Sequence, residues 1–157
     1  MIINKIHWLG VGLSSPPGIL YLKDEGYELL VWNRSVDKAK SLLENKININ
    51  YLDFSKFSNQ LNKNDLIVSM LPASMHFEIA ELAIKNKCHF VTSSYYDPQY
   101  QKLEQKFIDN DCLFMCECGL DPGIDHLFAH KIIQEFENKN YADIQSIEFK
   151  SMCGGFP

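Results

Sequence analysis

Chemistry-bearing side chains crowd one stretch of the sequence, CECGLDPGIDH, residues 116–126. It holds Cys116, Glu117, Cys118, Asp121, Asp125 and His126, interrupted by Gly119 and Gly123. Thiols and imidazoles at close spacing can ligate a metal. An aspartate ahead of a helix can cap it. A carboxylate at the mouth of a sheet can hold and move a proton. His126 and His130 stand four residues apart on one predicted helix, and Cys112, Cys116 and Cys118 share strand parity. Neither C-x-x-C nor H-E-x-x-H occurs, however, and same-face cysteines in an apolar strand read as core. His130 reads as a partly buried helix residue. No metal is expected.

A second stretch, LGVGLSSPPG, follows the first apolar run. Gly10 permits a tight turn, and Gly12 lets backbone N–H groups approach a pyrophosphate. The third glycine place of that fingerprint holds Ser15. Pro16 and Pro17 then open a helix, where missing N–H donors cost little. The end of the second apolar run reads WNRS. Cofactors without a 2′-phosphate meet an acid there, whereas Asn33, Arg34 and Ser35 suit the 2′-phosphate of NADP, with NAD the second choice. Arg34 is the only arginine among the 15 basic residues of the chain. Ser35 is expected both to cap the next helix and to meet the cofactor.

These residues need a frame, and the hydrophobic pattern supplies one. Apolar runs (residues 5–10, 27–33, 47–52, 65–71, 88–94 and 112–118) alternate with helix-period segments (16–26, 35–45, 54–62, 73–87, 98–111 and 122–138). Short β-α alternation predicts an α/β fold: a Rossmann-type, doubly wound, mostly parallel sheet with helices on both faces. Ile79, Leu82 and Ala83 mark one inner helix face; Ile124, Leu127, Phe128 and Ile132 are expected to mark another. Asp121 is expected to cap the helix started by Pro122, with Asp125 and His126 bracing the loop. A final strand is predicted over residues 142–152.

The composition bounds the function. The 157 residues suffice for one domain with a real core, at 46% hydrophobic and 22% charged. A formal net charge of −5 argues against a general nucleic-acid or anionic-membrane surface. No apolar run approaches the ~18 residues of a membrane span. Five cysteines without a secreted-scaffold pattern, and no signal-peptide pattern, lead to an expectation of a cytoplasmic protein with reduced thiols.

In an open parallel sheet, ligands bind beyond the carboxyl ends of the strands. Those ends read SMLP (69–72), TSSY (92–95) and ECGLDPG (117–123), rich in hydroxyls, proline, glycine and acid. LPASMHFEIAELAIKNKCHFVTSSYYDP, GLDPGIDH and the closing CGGFP resemble the saccharopine dehydrogenase (saccharopine reductase) family, over nearly the whole chain. The departures are Ser15, the double proline and a longer loop before the last strand.

The resemblance implies an NAD(P)-binding Rossmann domain, residues 1–140. Residues 141–157 would lead into a substrate and dimerisation domain outside this chain, through which a homodimer would form. It assigns Gly10, Gly12, Leu13 and Ser14 to the pyrophosphate, and Asn33, Arg34 and Ser35 to the adenosine ribose. Asp53 goes near the adenine. Ser69, Leu71 and Pro72 go to the nicotinamide side, with Thr92 and Ser93 close by. Ser94, Tyr95 and Asp121 would face an amino-acid substrate, and Cys153 matches the family's C-G-G cysteine.

The implied reaction is reversible, NADP(H)-dependent reduction of the imine formed from glutamate and aminoadipate semialdehyde, in lysine metabolism. Asp121 would be the general acid/base, assisted by Tyr95 and Cys153. The substrate's carboxylates would be held by residues outside this stretch, so the chain alone is expected to bind NADP(H) without turnover. Two alternatives share the cofactor logic: a polyamine-forming imine reductase such as a carboxynorspermidine dehydrogenase, and a non-catalytic NADP-binding module.

Overall fold

A computed structural model describes residues 3–138, together with 148 and 150. The strand predicted over 142–152, the segment 141–157 as a unit and Cys153 lie outside the described residues. Six strands are present: β1 (Ile6–Leu9), β2 (Leu29–Asn33), β3 (Ile49–Tyr51), β4 (Leu66–Ser69), β5 (His89–Thr92) and β6 (Phe114–Met115). All pair in parallel, in the order β3-β2-β1-β4-β5-β6. That is the dinucleotide-binding order, and it reverses direction between β1 and β4. Successive helices leave the sheet to opposite sides at that point, so a crevice opens above the carboxyl ends of the two strands.

Strand alternation feeds two cores, one on each face. Ile6, Trp8, Val31 and Val68 point to one side. There they meet Ile19 of α1 (Pro16–Asp24) and Ala39 of α2 (Val36–Leu42). Leu9, Trp32, Ile67 and Phe90 point to the other. They pack against Phe57 of α3 (Phe54–Ser58), Ile79 and Ala83 of α4 (His76–Asn86), and Leu103 and Phe107 of α5 (Gln101–Asp109). Sheets covered on both faces need apolar side chains at nearly every strand position, which is why β1 is buried throughout.

Polar groups interrupt that core, and one of them lies in the middle of β1. His7 is fully buried on β1, with its ring stacked on Trp32. Trp32 Nε1–H donates to His7 Nδ1 at 3.3 Å, and His7 Nε2 lies 3.1 Å from Asp65 Oδ2. Indole nitrogen only donates, so Nδ1 accepts and the imidazole proton sits on Nε2, where it donates to Asp65. Asn62 N–H also donates to that carboxylate oxygen. Each partner is satisfied with the ring neutral, as buried polar groups require.

Three sequence expectations are corrected here. The run 112–118 forms only a two-residue strand, because Glu117 takes the left-handed conformation (φ 61) and breaks the ladder. Cys112 and Cys116 are half-buried against the core edge, while Cys118 lies past the break. The last helix, α6 (Ile124–Glu137), starts two residues later than expected. Gly123 occupies the N-cap position, and Asp125 Oδ1 accepts its N–H at 2.8 Å. Asp121 therefore does not cap the helix.

The apolar stripe of α6 also fails to face inward. Ile124, Leu127, Phe128 and Ile132 are 45%, 70%, 59% and 52% exposed, and His130 is exposed too. Periodicity reveals a stripe but not what covers it, and among the described residues nothing buries this one. No helix of the described residues is long and apolar enough to cross a membrane.

Burial pushes the His7 pKa below its ordinary 6.5 despite the Asp65 hydrogen bond, and burial does the same to His76. A histidine with a lowered folded pKa binds fewer protons folded than unfolded. Its contribution to stability is therefore full above about 6.5 and drains as the pH falls through 6.5 toward the folded value. Thermal melts should show the midpoint falling between pH 7.5 and 5.5, with a shallower fall in His7→Gln. A midpoint independent of pH across that window would contradict the neutral buried ring.

Candidate functional site: a cofactor cleft and an adjoining proton-bearing pair

The crevice between β1 and β4 is an open cleft of about 400 Å³. Its floor is the loop after β1. Gly10 has φ +90, and a Cβ there would stand 2.8 Å from the Met70 carbonyl oxygen. Only glycine fits, because both the conformation and the approach to the β4 backbone exclude a side chain. Val11 N–H is held by Asn33 Oδ1 (3.0 Å) and Gly12 N–H by Ser15 Oγ (3.2 Å). The serine in the third glycine place thus ties the loop shut with its hydroxyl.

The close helix–strand contact that a third glycine usually permits is made instead by Gly18, whose Cβ would meet the Trp8 ring at 3.2 Å. Sequence reasoning missed that role, although PPG at the start of a helix was its signal. Beyond Gly12 the space is open, and no protein acceptor among the described residues takes the N–H of Leu13 or Ser14. Two unspent donors on an exposed glycine loop fit a pyrophosphate.

One wall of the cleft carries Asn33, Arg34, Ser35 and Lys38. Ser35 stands at the N-cap position of α2, but its hydroxyl makes no capping hydrogen bond, which corrects half of its expected double role. Asn33 is a brace as well as a wall residue, since its Nδ2 donates to Ser35 O while Oδ1 holds Val11. Lys38, absent from the sequence expectations, lies four residues after Arg34, in the first turn of α2. It gives this wall a second cation on a chain of net charge −5. Tyr51, Leu52 and Phe54 line the same end. Asp53, between them, spends its carboxylate on the Lys56 N–H as the N-cap of α3.

Met70, Leu71, Pro72 and Met75 form the opposite wall. Ser69 and Thr92 lie beneath it, fully buried. The substrate-facing candidates are on the neighbouring loops. Tyr95 O–H donates to Asp121 Oδ1 at 2.7 Å. Glu117 N–H donates to Ser94 O, and Glu117 Oε1 accepts Tyr96 N–H at 3.2 Å, which ties the loops after β5 and β6 together. Ser93 Oγ lies 3.3 Å from Met70 Sδ, and a Cβ on Gly119 would stand 3.2 Å from that of Ser93. An unbroken line of contacts therefore joins the cofactor wall to the Tyr95–Asp121 pair.

Gly123 is packed so tightly on the Gly119 and Glu117 carbonyls that no side chain fits there. None of the described cysteines lines the cleft. Burial pushes the Cys88 thiol up to about 12 and the Cys116 thiol up to about 11, so both stay protonated near neutrality. No group of three or more His, Cys, Asp and Glu side chains converges among the described residues.

The match to the family described as the saccharopine dehydrogenase NADP binding domain runs over residues 6–115. The chain belongs to that family. The family's description names NADP, in agreement with the cofactor read from Arg34. The saccharopine dehydrogenase (NADP+, L-glutamate-forming) of Pyricularia oryzae is 34% identical over 100% of this chain and 35% of its own length. The mitochondrial alpha-aminoadipic semialdehyde synthase of Bos taurus is 32% identical over 98% of the chain and 17% of its own length. An apo saccharopine dehydrogenase (L-Glu forming) structure from Saccharomyces cerevisiae superposes with a TM-score of 0.73 and 32% identity. That overlap covers 86% of this chain and 32% of the other. The chain thus spans about a third of the length of the fungal relatives it matches.

Gly10 is a position where the saccharopine dehydrogenase NADP-binding fold does not accommodate a side chain. Gly10→Ala should cost at least about 2 kcal/mol, from the left-handed conformation and the contact with Met70 together. Denaturant unfolding measures this directly, and a variant of wild-type stability would show that the loop can move off β4.

Proposed function

We propose that this chain is the NADP(H)-binding part of a saccharopine dehydrogenase-type oxidoreductase. The reaction is reversible reduction of the imine formed from glutamate and aminoadipate semialdehyde, in lysine metabolism. The observation that carries the reading is the Tyr95–Asp121 hydrogen bond, joined by contact to the nicotinamide-side wall of a cleft built for a dinucleotide. The relatives above are named for saccharopine and aminoadipic semialdehyde, so the polyamine-forming alternative is not favoured.

Leu13 and Ser14 N–H groups would hold the pyrophosphate at the Gly10–Gly12 loop. Arg34, Lys38 and Ser35 would hold the 2′-phosphate. Leu71 and Pro72, with Ser69, Thr92 and Ser93 behind them, set the nicotinamide side, and Asp53 steadies the adenine end by capping α3. When bound, the nicotinamide supplies the hydride. Asp121 takes the proton from the incoming amine and returns one to the carbinolamine hydroxyl that leaves as water. Tyr95 fixes the direction of that carboxylate, Ser94 faces the substrate, and Cys153 assists.

The substrate's carboxylates are held by a further domain, through which a homodimer forms; residues 1–140 are the cofactor domain and 141–157 lead out of it. The chain alone binds NADPH without turnover. The absence of a secreted cysteine pattern supports the cytosol as its compartment.

NADPH fluorescence titration of the chain should give saturable binding. Arg34→Ala should weaken it by about 10–100-fold while leaving NADH nearly unchanged, as expected for losing a charge-assisted phosphate contact. Equal losses for both cofactors would remove the 2′-phosphate assignment. In a protein supplying the length that the relatives have beyond this chain, Asp121→Asn should lower saccharopine-dependent NADP+ reduction by ~10²–10⁴-fold. Near-normal turnover would show that Asp121 only orients the substrate.

A further inference from the structure

The Thr92 side chain is buried under the cleft, and its hydroxyl has three neighbours on three different segments. It donates to Ser69 O at 3.0 Å, at the end of β4. It accepts Ser94 N–H at 3.3 Å, on the loop that carries Tyr95. It lies 3.2 Å from His76 Nδ1, on the first residue of α4. The Thr92 carbonyl accepts Cys118 N–H at 3.0 Å, on the loop that leads to Asp121. Ser69 and Thr92 are also direct partners in the β4–β5 register.

Each of these segments ends at the site. Ser69 is followed by the wall residues Met70, Leu71 and Pro72; His76 follows Met75, the last of that wall; Ser94 and Cys118 precede the two members of the proton-bearing pair. Thr92 is too deeply buried to touch a cofactor, and its side-chain oxygen is saturated by protein groups.

We infer that Thr92 is a positioning residue, whose hydroxyl locks the nicotinamide-side wall to the Tyr95–Asp121 loops and fixes their separation. Serine can make the same three contacts, whereas valine matches the shape of threonine and makes none. With valine, the Ser94 N–H and the His76 ring lose their partner, and what still joins the wall to the loops is strand pairing, the Thr92 carbonyl and the Ser93–Met70 contact. The cofactor wall then loses its fixed register with the loops. The effect on cofactor affinity rests on the function proposed above; the effect on the loops does not.

The test compares Thr92→Val and Thr92→Ser in this chain, well below their melting temperatures. Thr92→Val should exchange the Ser94 amide hydrogen at least about tenfold faster and weaken NADPH binding by about tenfold, the worth of one buried hydrogen bond. Thr92→Ser should restore both to within about threefold of wild type. A lower melting temperature in Thr92→Val with unchanged Ser94 exchange and NADPH affinity overturns the inference, since threonine would then be only core. If wild type binds no NADPH, the cofactor reading fails, and Ser94 exchange alone decides the role of Thr92. Should Thr92→Val not fold, the unaltered chain still decides. A buried, donating Thr92 hydroxyl gives a slowly exchanging proton resonance in NMR spectra, and its absence overturns the inference.

Discussion

The approach of Gly10 to the Met70 carbonyl is the constraint on which the rest of the molecule depends. β1 and β4 are adjacent and parallel, and the chain must leave them in opposite directions. The turn after β1 can pass the end of β4 only where there is no side chain, and only with a positive φ. Once that passage is fixed, the loop that follows leaves Leu13 and Ser14 exposed, with no protein acceptor for their N–H groups among the described residues. Asn33 reaches across from β2 to hold Val11, and Ser15 closes the loop on Gly12. The dinucleotide cleft is thus a consequence of strand order and one missing Cβ, finished by two side-chain hydrogen bonds.

Buried polar groups serve two different ends in this fold. Across β1, β2 and the start of β4, His7, Trp32 and Asp65 form a closed set in which every donor has an acceptor, and none of them lines the cleft. Such a set fixes the relation of β1, β2 and β4 at a cost that depends on pH. At the carboxyl end, Thr92 ties β4, α4 and the loop after β5. The first network secures the frame; the second secures the distance between the two halves of the site.

Much of this was legible in the sequence, for identifiable reasons. The strands and helices through α5 were legible by period, with Pro or Ser marking the start of α1, α2 and α5, and a mostly parallel sheet followed from β-α alternation. Gly10 and Gly12 were legible because turn chemistry is local. Lys38 and Tyr51 were not, because their place on the cleft wall depends on how α2 and β3 dock on the sheet. Gly18 was hidden because the usual spacing put its role at residue 15. Asp121 was read as a helix cap from the proline after it. The cap position is in fact Gly123, and the aspartate is left to Tyr95. The apolar stripe of α6 was read inward because periodicity says that a helix has an apolar face without saying what covers it.

The most direct test of the account is a ¹H–¹⁵N NMR titration of this chain with NADPH. The account predicts that the largest shifts fall on the amides of Leu13 and Ser14, then on Arg34, Ser35 and Lys38, with smaller ones at Leu71. Saturable binding with shifts confined to α6 or to the β6 edge would contradict it, as would the absence of any saturable change at Leu13 and Ser14.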